Sequence, residues 1–436
     1  MSALGQRIES FRGLLYDPSV AGDIASVVAP PYDLIGEARQ RELYRRSPYN
    51  IVRLELGREP DRYGAAASTL AEWLASGALG RARTPAIYLY AQSFEIEGRR
   101  LRRHGFVTRI RLEEFGPGRI LPHERTFAAP KEDRLRLLSA IRTNTSSIFG
   151  LYSGEHPELD RLRDEVSARA PLIDLADDLK IRSELRAIDS PAEIAVVQRA
   201  LAAPRVLIAD GHHRYETALN YRRERRKRDN PPELRGFDYA MMTLVACNDP
   251  GLVILPTHRV VRTLRADALA GFVTRAREMF EVEDFAERGA MRARLNAAGR
   301  GTLGVALRGH HRLYILRLKD GVVAGSALAE LAPELRDLDV SVLHALVFER
   351  IFSLSAAEIR KGGIIEYTID AGAALDAVRE RRADGAFLMN APSIRDVERV
   401  TDAGATMPEK STYFHPKLLT GLVMNPLDDG ADGEAP

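Results

Sequence analysis

The run Val206-Leu207-Ile208-Ala209 ends on Asp210-Gly211, and beyond it Tyr215, Ala218 and Leu219 recur at helical spacing. A short apolar run followed at once by a glycine turn and a helical period reads as strand, tight turn, helix. Such a junction aims backbone N–H groups and the positive end of a helix dipole at one spot, which is an anion-binding geometry. Gly211 permits close backbone approach, Arg214 adds a planar, permanently charged fork matched to phosphate oxygens, and His212 and His213 supply further donors. Asp210 would repel phosphate directly, so it is assigned to a magnesium ion or to that ion's water shell. The same pattern also suits a plain Asp-Gly turn that holds no ligand, and spacing alone does not choose between the two. Zinc binding by the adjacent histidines is disfavoured, because neighbouring helical positions face different directions.

The chain has 436 residues, enough for two or three compact units. Hydrophobic residues at 45% and charged residues at 28% place it among globular, not disordered, chains. No apolar run approaches the roughly 18–20 residues that span a bilayer, and the first residues lack the order of a signal peptide, so a cytoplasmic location without membrane contact is expected. The single cysteine, Cys247, excludes an intrachain disulfide and a cysteine-based zinc site. Lys and Arg at 63 against Asp and Glu at 61 give a net charge of +2, too even for the broad basic surface of a dedicated nucleic-acid binder. Small-molecule chemistry is the expectation, and nothing in the sequence speaks to oligomeric state.

Periodicity predicts helices over 37–46 and 63–75, a strand over 51–56, and a hairpin of strands 86–91 and 105–112 turning at Glu97-Gly98. A helix after Pro130 carries Leu135, Leu138 and Ile141, and an apolar strand covers 239–246. From 255 onward a separate α/β section is expected, with a helix over 266–279, strands near 304–307 and 313–318, a helix over 340–351, and strands 366–369 and 385–389. The expected organisation is an N-terminal α/β segment (1–94), a phosphate-binding core (95–250), a C-terminal α/β domain (251–427) and a frayed acidic tail (428–436).

Other polar groups compete for a role. His123-Glu124-Arg125-Thr126 precedes the Pro130 helix, where Glu124 is either a proton acceptor or a capping and salt-bridging residue. Loop 407–417 gathers Lys410, Ser411, Thr412, Tyr413 and Lys417, either to close over a phosphate or as a Pro-flanked turn packing its aromatics. Arg134 and Arg142 could reach the same phosphates but read better as solvated helix positions, and the basic stretch 222–228, which invites a nucleic-acid reading, reads better as a solvated helix end. His310-His311 reads as a hairpin turn.

The box Asp210-Gly211-His212-His213-Arg214-Tyr215 resembles the phosphate-binding box of the ParB/sulfiredoxin-like superfamily, and nearly the whole chain resembles the DUF1015 family. Further marks of that likeness are Pro30-Pro31-Tyr32-Asp33, Ser47-Pro48-Tyr49-Asn50, Thr257-His258-Arg259 and Met407-Pro408-Glu409-Lys410-Ser411-Thr412. The resemblance implies an α/β (α+β) fold: a ParB/sulfiredoxin-like nucleotide-binding core with added N-terminal and C-terminal α/β parts. Locally, His123-Glu124-Arg125-Thr126 upstream of the 210–215 box is similar to the free-serine kinases, which implies Glu124 as the base, with His123 beside it. It also implies a nucleotide whose phosphates lie on Gly211, His212, His213 and Arg214, with Thr126, Lys410, Ser411 and Thr412 as further contacts and magnesium near Asp210. ATP or ADP is expected as donor, CTP being an option, and a small hydroxylated metabolite, free L-serine first, as acceptor. Glu124 and Asp210 stand farther apart than in those kinases, which suggests an insertion around 151–191. The alternative is a ParB-like nucleotide-sensing regulatory protein without kinase activity. Sulfiredoxin chemistry is disfavoured, because its cysteine would stand where His212 stands, and no helix-turn-helix follows the box.

Overall fold

The hairpin turning at Glu97-Gly98 organises the first half of the chain. Both turn residues take positive φ (50° and 73°), the twist that matches right-handed strands, and join Ile87–Ile96 to Arg99–Arg111. The computed structural model describes residues 7–116, 118–124, 128–355, 358–359 and 363–428. Two compact units emerge: Met1–Pro122 with Thr126–Leu252 and Pro416–Pro436, and His123–Arg125 with Val253–His415. The boundary expected near 95 falls inside the hairpin, whose nine paired positions tie its two strands together.

In the first unit the described residues form a nine-stranded mixed sheet. Its order is Ile120–Pro122, Val206–Asp210, Ile148–Tyr152, Tyr239–Ala246, Arg99–Arg111, Ile87–Ile96, Arg182–Ile188 and Ile173–Ala176, with Ile8–Glu9 also pairing Arg99–Arg111. Val206–Asp210 runs parallel to Ile120–Pro122 and antiparallel to Ile148–Tyr152, which in turn is parallel to Tyr239–Ala246. Tyr239–Ala246 is buried along almost its whole length, as a central strand covered on both faces must be. Ile87, Leu89, Phe106, Val206, Ile208 and Leu244 supply one core face, against which Val197, Leu201, Tyr215 and Leu219 pack from helices. The segment expected as an insertion is part of this sheet: Arg182–Ile188 pairs with Ile87–Ile96, and Ile173–Ala176 with Arg182–Ile188.

A second core in the same unit gathers Val27, Leu43, Ile51, Val52, Leu54, Leu70 and Trp73. Here the expected strand over 51–56 is instead a helical turn, Val52–Glu55. The Asn50 side chain accepts from Val52 N (3.0 Å) and donates to Ser26 O and Val28 O, so it starts the turn. Ile51, Val52 and Leu54 are all buried, so no face is left for strand alternation.

The second unit holds a six-stranded antiparallel sheet among the described residues, ordered Phe280–Phe285, Leu313–Leu318, Thr302–Leu307, Gly385–Leu388, His258–Val261 and Ile365–Thr368. The helix expected over 266–279 breaks at Gly271 into Ala266–Ala270 and Phe272–Met279. The helix expected over 340–351 begins as Asp339–Val342 and widens into a π-helical stretch, Leu343–Ile351. His310 lies beside a turn at Gly309 (φ 81°), its ring nitrogens engaged with Tyr314 OH and Leu269 O, which gives it a structural role.

Candidate functional site

The strand–turn–helix read from the sequence is present in the first unit. Val206–Asp210 ends at Gly211, which adopts φ 92° and ψ 27° and caps the 18-residue helix His212–Asp229. Gly211, as a glycine, offers no capping side chain of its own. First-turn N–H groups have no intrahelical acceptor, and the dipole places roughly half a positive charge there. Gly211 is required twice over: its φ disfavours L-residues, and a Cβ would stand 3.0 Å from the Arg214 guanidinium. Gly211→Ala therefore costs about 1–2 kcal/mol and lowers the melting temperature by about 5 °C, read by circular dichroism. An unchanged melt would mean that the turn carries no strain.

Asp210 sits at the centre of a charge cluster that local spacing does not show. One carboxylate oxygen accepts from Lys417 Nζ, the other from Arg214 Nη2 at 2.7 Å. Burial alone would push this carboxyl up, but the charges of Lys417 and Arg214, with His212 adding to them, hold it well below the usual range. The expected phosphate fork of Arg214 is partly committed, because Nη1 donates to Ser147 O at 2.5 Å. Arg103, fully buried over the Phe149 ring at 4.6 Å, donates to Pro416 O at 2.5 Å, and Gln92 donates to Lys417 O at 3.0 Å. Burial pushes Arg103 down to about 10, and Asp210 is among the groups whose charge opposes that shift. Arg103 and Gln92 were missed as members of this site, and Lys417, read as part of a loop that could close over a phosphate, was not paired with Asp210, because each lies far along the chain from it.

Arg214 also lines a cavity of about 50 Å³ with Glu55, Arg134, Thr145 and Thr217. Arg134, expected to be solvated, is buried: it donates to Glu55 Oε2 (2.7 Å) and stacks 4.3 Å above the Tyr32 ring. The Thr217 hydroxyl, buried in this wall, has no hydrogen-bond partner among the described residues. Arg142 behaves as expected, half-exposed and facing Asp428. The basic stretch 222–228 is largely tied into ion pairs, with Glu114, Asp229 and Asp238.

His123 and Glu124 belong to the second unit. The His123 carbonyl and the Glu124 carboxylate join them to loop 407–417: Met407 N donates to His123 O (2.8 Å), and Ser411 N donates to Glu124 Oε1 (3.2 Å). His123, expected to be catalytic, is fully buried, with Nε2 2.8 Å from Thr412 Oγ1. Ser411 and Thr412, expected as phosphate contacts, are buried as well, and the Ser411 hydroxyl donates to Pro408 O. Lys410 is exposed at φ 53°. Thr126 lies outside the described residues. Arg259 is fully buried and holds this loop, donating to Glu409 O and Lys410 O (3.3 and 3.1 Å).

Among the described residues no group of three or more His, Cys, Asp or Glu forms a metal cage, and no helix is long and apolar enough to cross a membrane. Magnesium carried on a polyphosphate needs only one or two carboxylates, but Asp210 already gives both oxygens to cations and fits direct coordination poorly.

Fold and turn together define a mixed α/β protein with a strand–turn–helix junction at Gly211. The sequence matches the family described as "Protein of unknown function (DUF1015)" over residues 8–341 and belongs to it. No curated protein matches. Among solved structures, the chain is similar to a free serine kinase in complex with AMP (14% identity, TM-score 0.33, 68% of this chain and 83% of that one). It is also similar to a conserved hypothetical protein from Pyrococcus furiosus (12%, 0.32, 69% and 89%). A third likeness is to SbnI with C-terminal truncation from Staphylococcus aureus (11%, 0.33, 69% and 82%).

Proposed function

We infer that the chain is a nucleotide-dependent kinase that transfers a phosphoryl group to the hydroxyl of a small metabolite, free L-serine being the first acceptor to try. The observation that carries this reading is the strand–turn–helix junction at Gly211, where Lys417 and Arg214 pair with one carboxylate and the charge of Asp210 reaches the buried Arg103. A dianionic phosphate is the ligand such a junction favours. The phosphates are assigned to the amides of Gly211, His212 and His213 and to the outer face of Arg214. Asp210 is assigned to holding Lys417 and Arg214 in place, and it meets magnesium, if at all, through water. Magnesium arriving on the nucleotide would neutralise charge on the transferring group.

The proton acceptor is assigned to Glu124, supported by the sequence resemblance and by a carboxylate that stays partly exposed while the Ser411 N–H fixes it. The acceptor oxygen attacks the terminal phosphorus, its proton passes to Glu124, and the nucleotide leaves one phosphate shorter. Purified protein incubated with serine and ATP or ADP should yield phosphoserine by phosphorus NMR. Tight nucleotide binding with no transfer to any acceptor would instead assign the nucleotide-sensing role.

A further inference from the structure

The second unit contains a cavity of about 130 Å³ that the nucleotide reading does not use. Its wall includes Asp339, which is nine-tenths buried and starts the helical stretch running through Ile351. The Asp339 carboxylate accepts from Gly301 N at 2.7 Å and from the Asn390 N–H. No cationic side chain pairs with it among the described residues. Arg300, the cation whose charge reaches it, is held by Asp337 (2.6 Å) and Asp396, and Arg399 is held by the same two carboxylates (2.9 and 3.5 Å). Three carboxylates thus face two guanidiniums, and the cluster is one positive charge short. A buried carboxylate without a cation is otherwise neutralised, and burial pushes Asp339 up to about 6, so above that pH it stands as an unpaired anion on the cavity wall and is an opening for a cation.

The other lining groups narrow the class. Asn390 spends its amide protons on Leu295 O (3.2 Å) and Gly299 O (2.8 Å), so it offers the cavity only its acceptor oxygen. Ser411 donates its hydroxyl proton to Pro408 O, so it too offers lone pairs. Three acceptors suit the three N–H donors of a primary ammonium. They are too few for a hard metal ion, which takes about six oxygens. Leu338, Met389 and Met407 line the same space and suit an aliphatic stem. A cavity of roughly 150 Å³ holds benzene, so this one takes an occupant of up to about six heavy atoms. We propose that this cavity is a binding site for a small primary aliphatic ammonium compound, with Asp339 as its counter-ion. The proposal stands whether or not the chain is a kinase.

The test is a thermal-shift and calorimetric titration of the full-length protein with propylammonium chloride, against 1-propanol and potassium chloride at matched ionic strength. A saturable rise in melting temperature is expected with propylammonium alone. Binding should weaken by about a hundredfold in Asp339→Asn. Should that variant fold poorly, Ala391→Leu decides, since it fills the cavity and leaves the carboxylate in place; it should also abolish binding. Equal shifts with propanol or potassium, no shift at all, or undiminished binding in Ala391→Leu would overturn the proposal.

Discussion

Asp210→Ala lowers the melting temperature of the first unit by on the order of 10 °C, because it removes the carboxylate that pairs with two buried cations at once. Lys417 and Arg214 are only 13% and 15% exposed, and Asp210 is the carboxylate that pairs both. Removing one partner of a buried ion pair costs about 3–5 kcal/mol, and each kcal/mol moves the midpoint by about 2–4 °C in a unit of this size. The pH dependence has a definite sign. The folded carboxyl is held below its ordinary value, so its contribution is complete above the unfolded value near ~3.9 and is lost as pH falls through the folded one. The difference between wild type and Asp210→Ala should therefore stay level from pH 7 to about pH 5 and shrink only below about pH 4. Melting curves followed by circular dichroism check both statements. A midpoint within 2 °C of wild type, roughly the shift expected for well under 1 kcal/mol, would mean that the cluster is not a structural unit.

Glu124→Gln reduces phosphoryl transfer by about 10²–10⁴-fold while leaving nucleotide affinity and the melting temperature where they were. Glutamine keeps the oxygen that accepts the Ser411 N–H and the volume beside His123, so the loop keeps its anchor. What it loses is a basic oxygen for the acceptor's proton. Single-turnover rates from phosphorus NMR, paired with a binding isotherm on the same preparation, separate the two effects. Undiminished product would remove Glu124 from the mechanism, and lost affinity would make it a binding residue.

The turn at Gly211 was legible because a strand and a helix with opposite periods meet there across one glycine, a local signal. So were the hairpin at Glu97-Gly98 and the central strand Tyr239–Ala246. The turn Val52–Glu55 was not, because burial of Ile51, Val52 and Leu54 together overrides the alternation that spells a strand. The partners of Asp210 and Arg134 were hidden for another reason. Lys417 lies 207 positions from Asp210, and Glu55 lies 79 from Arg134; no period in the sequence encodes such ion pairs, which exist only once the sheet has closed. The same holds for the burial of His123, whose ring meets Thr412 across 289 positions of chain.

The proposed kinase needs the turn at Gly211 to receive the phosphates of a nucleotide. Isothermal titration of ATP, ADP and CTP, with and without magnesium, into the wild type and Gly211→Ala tests it most directly. At least one nucleotide should bind the wild type with a dissociation constant at or below about 100 μM and bind Gly211→Ala at least about tenfold more weakly, a loss of about 1.4 kcal/mol. No measurable binding by any of the three, or equal affinity in the two proteins, would contradict the account.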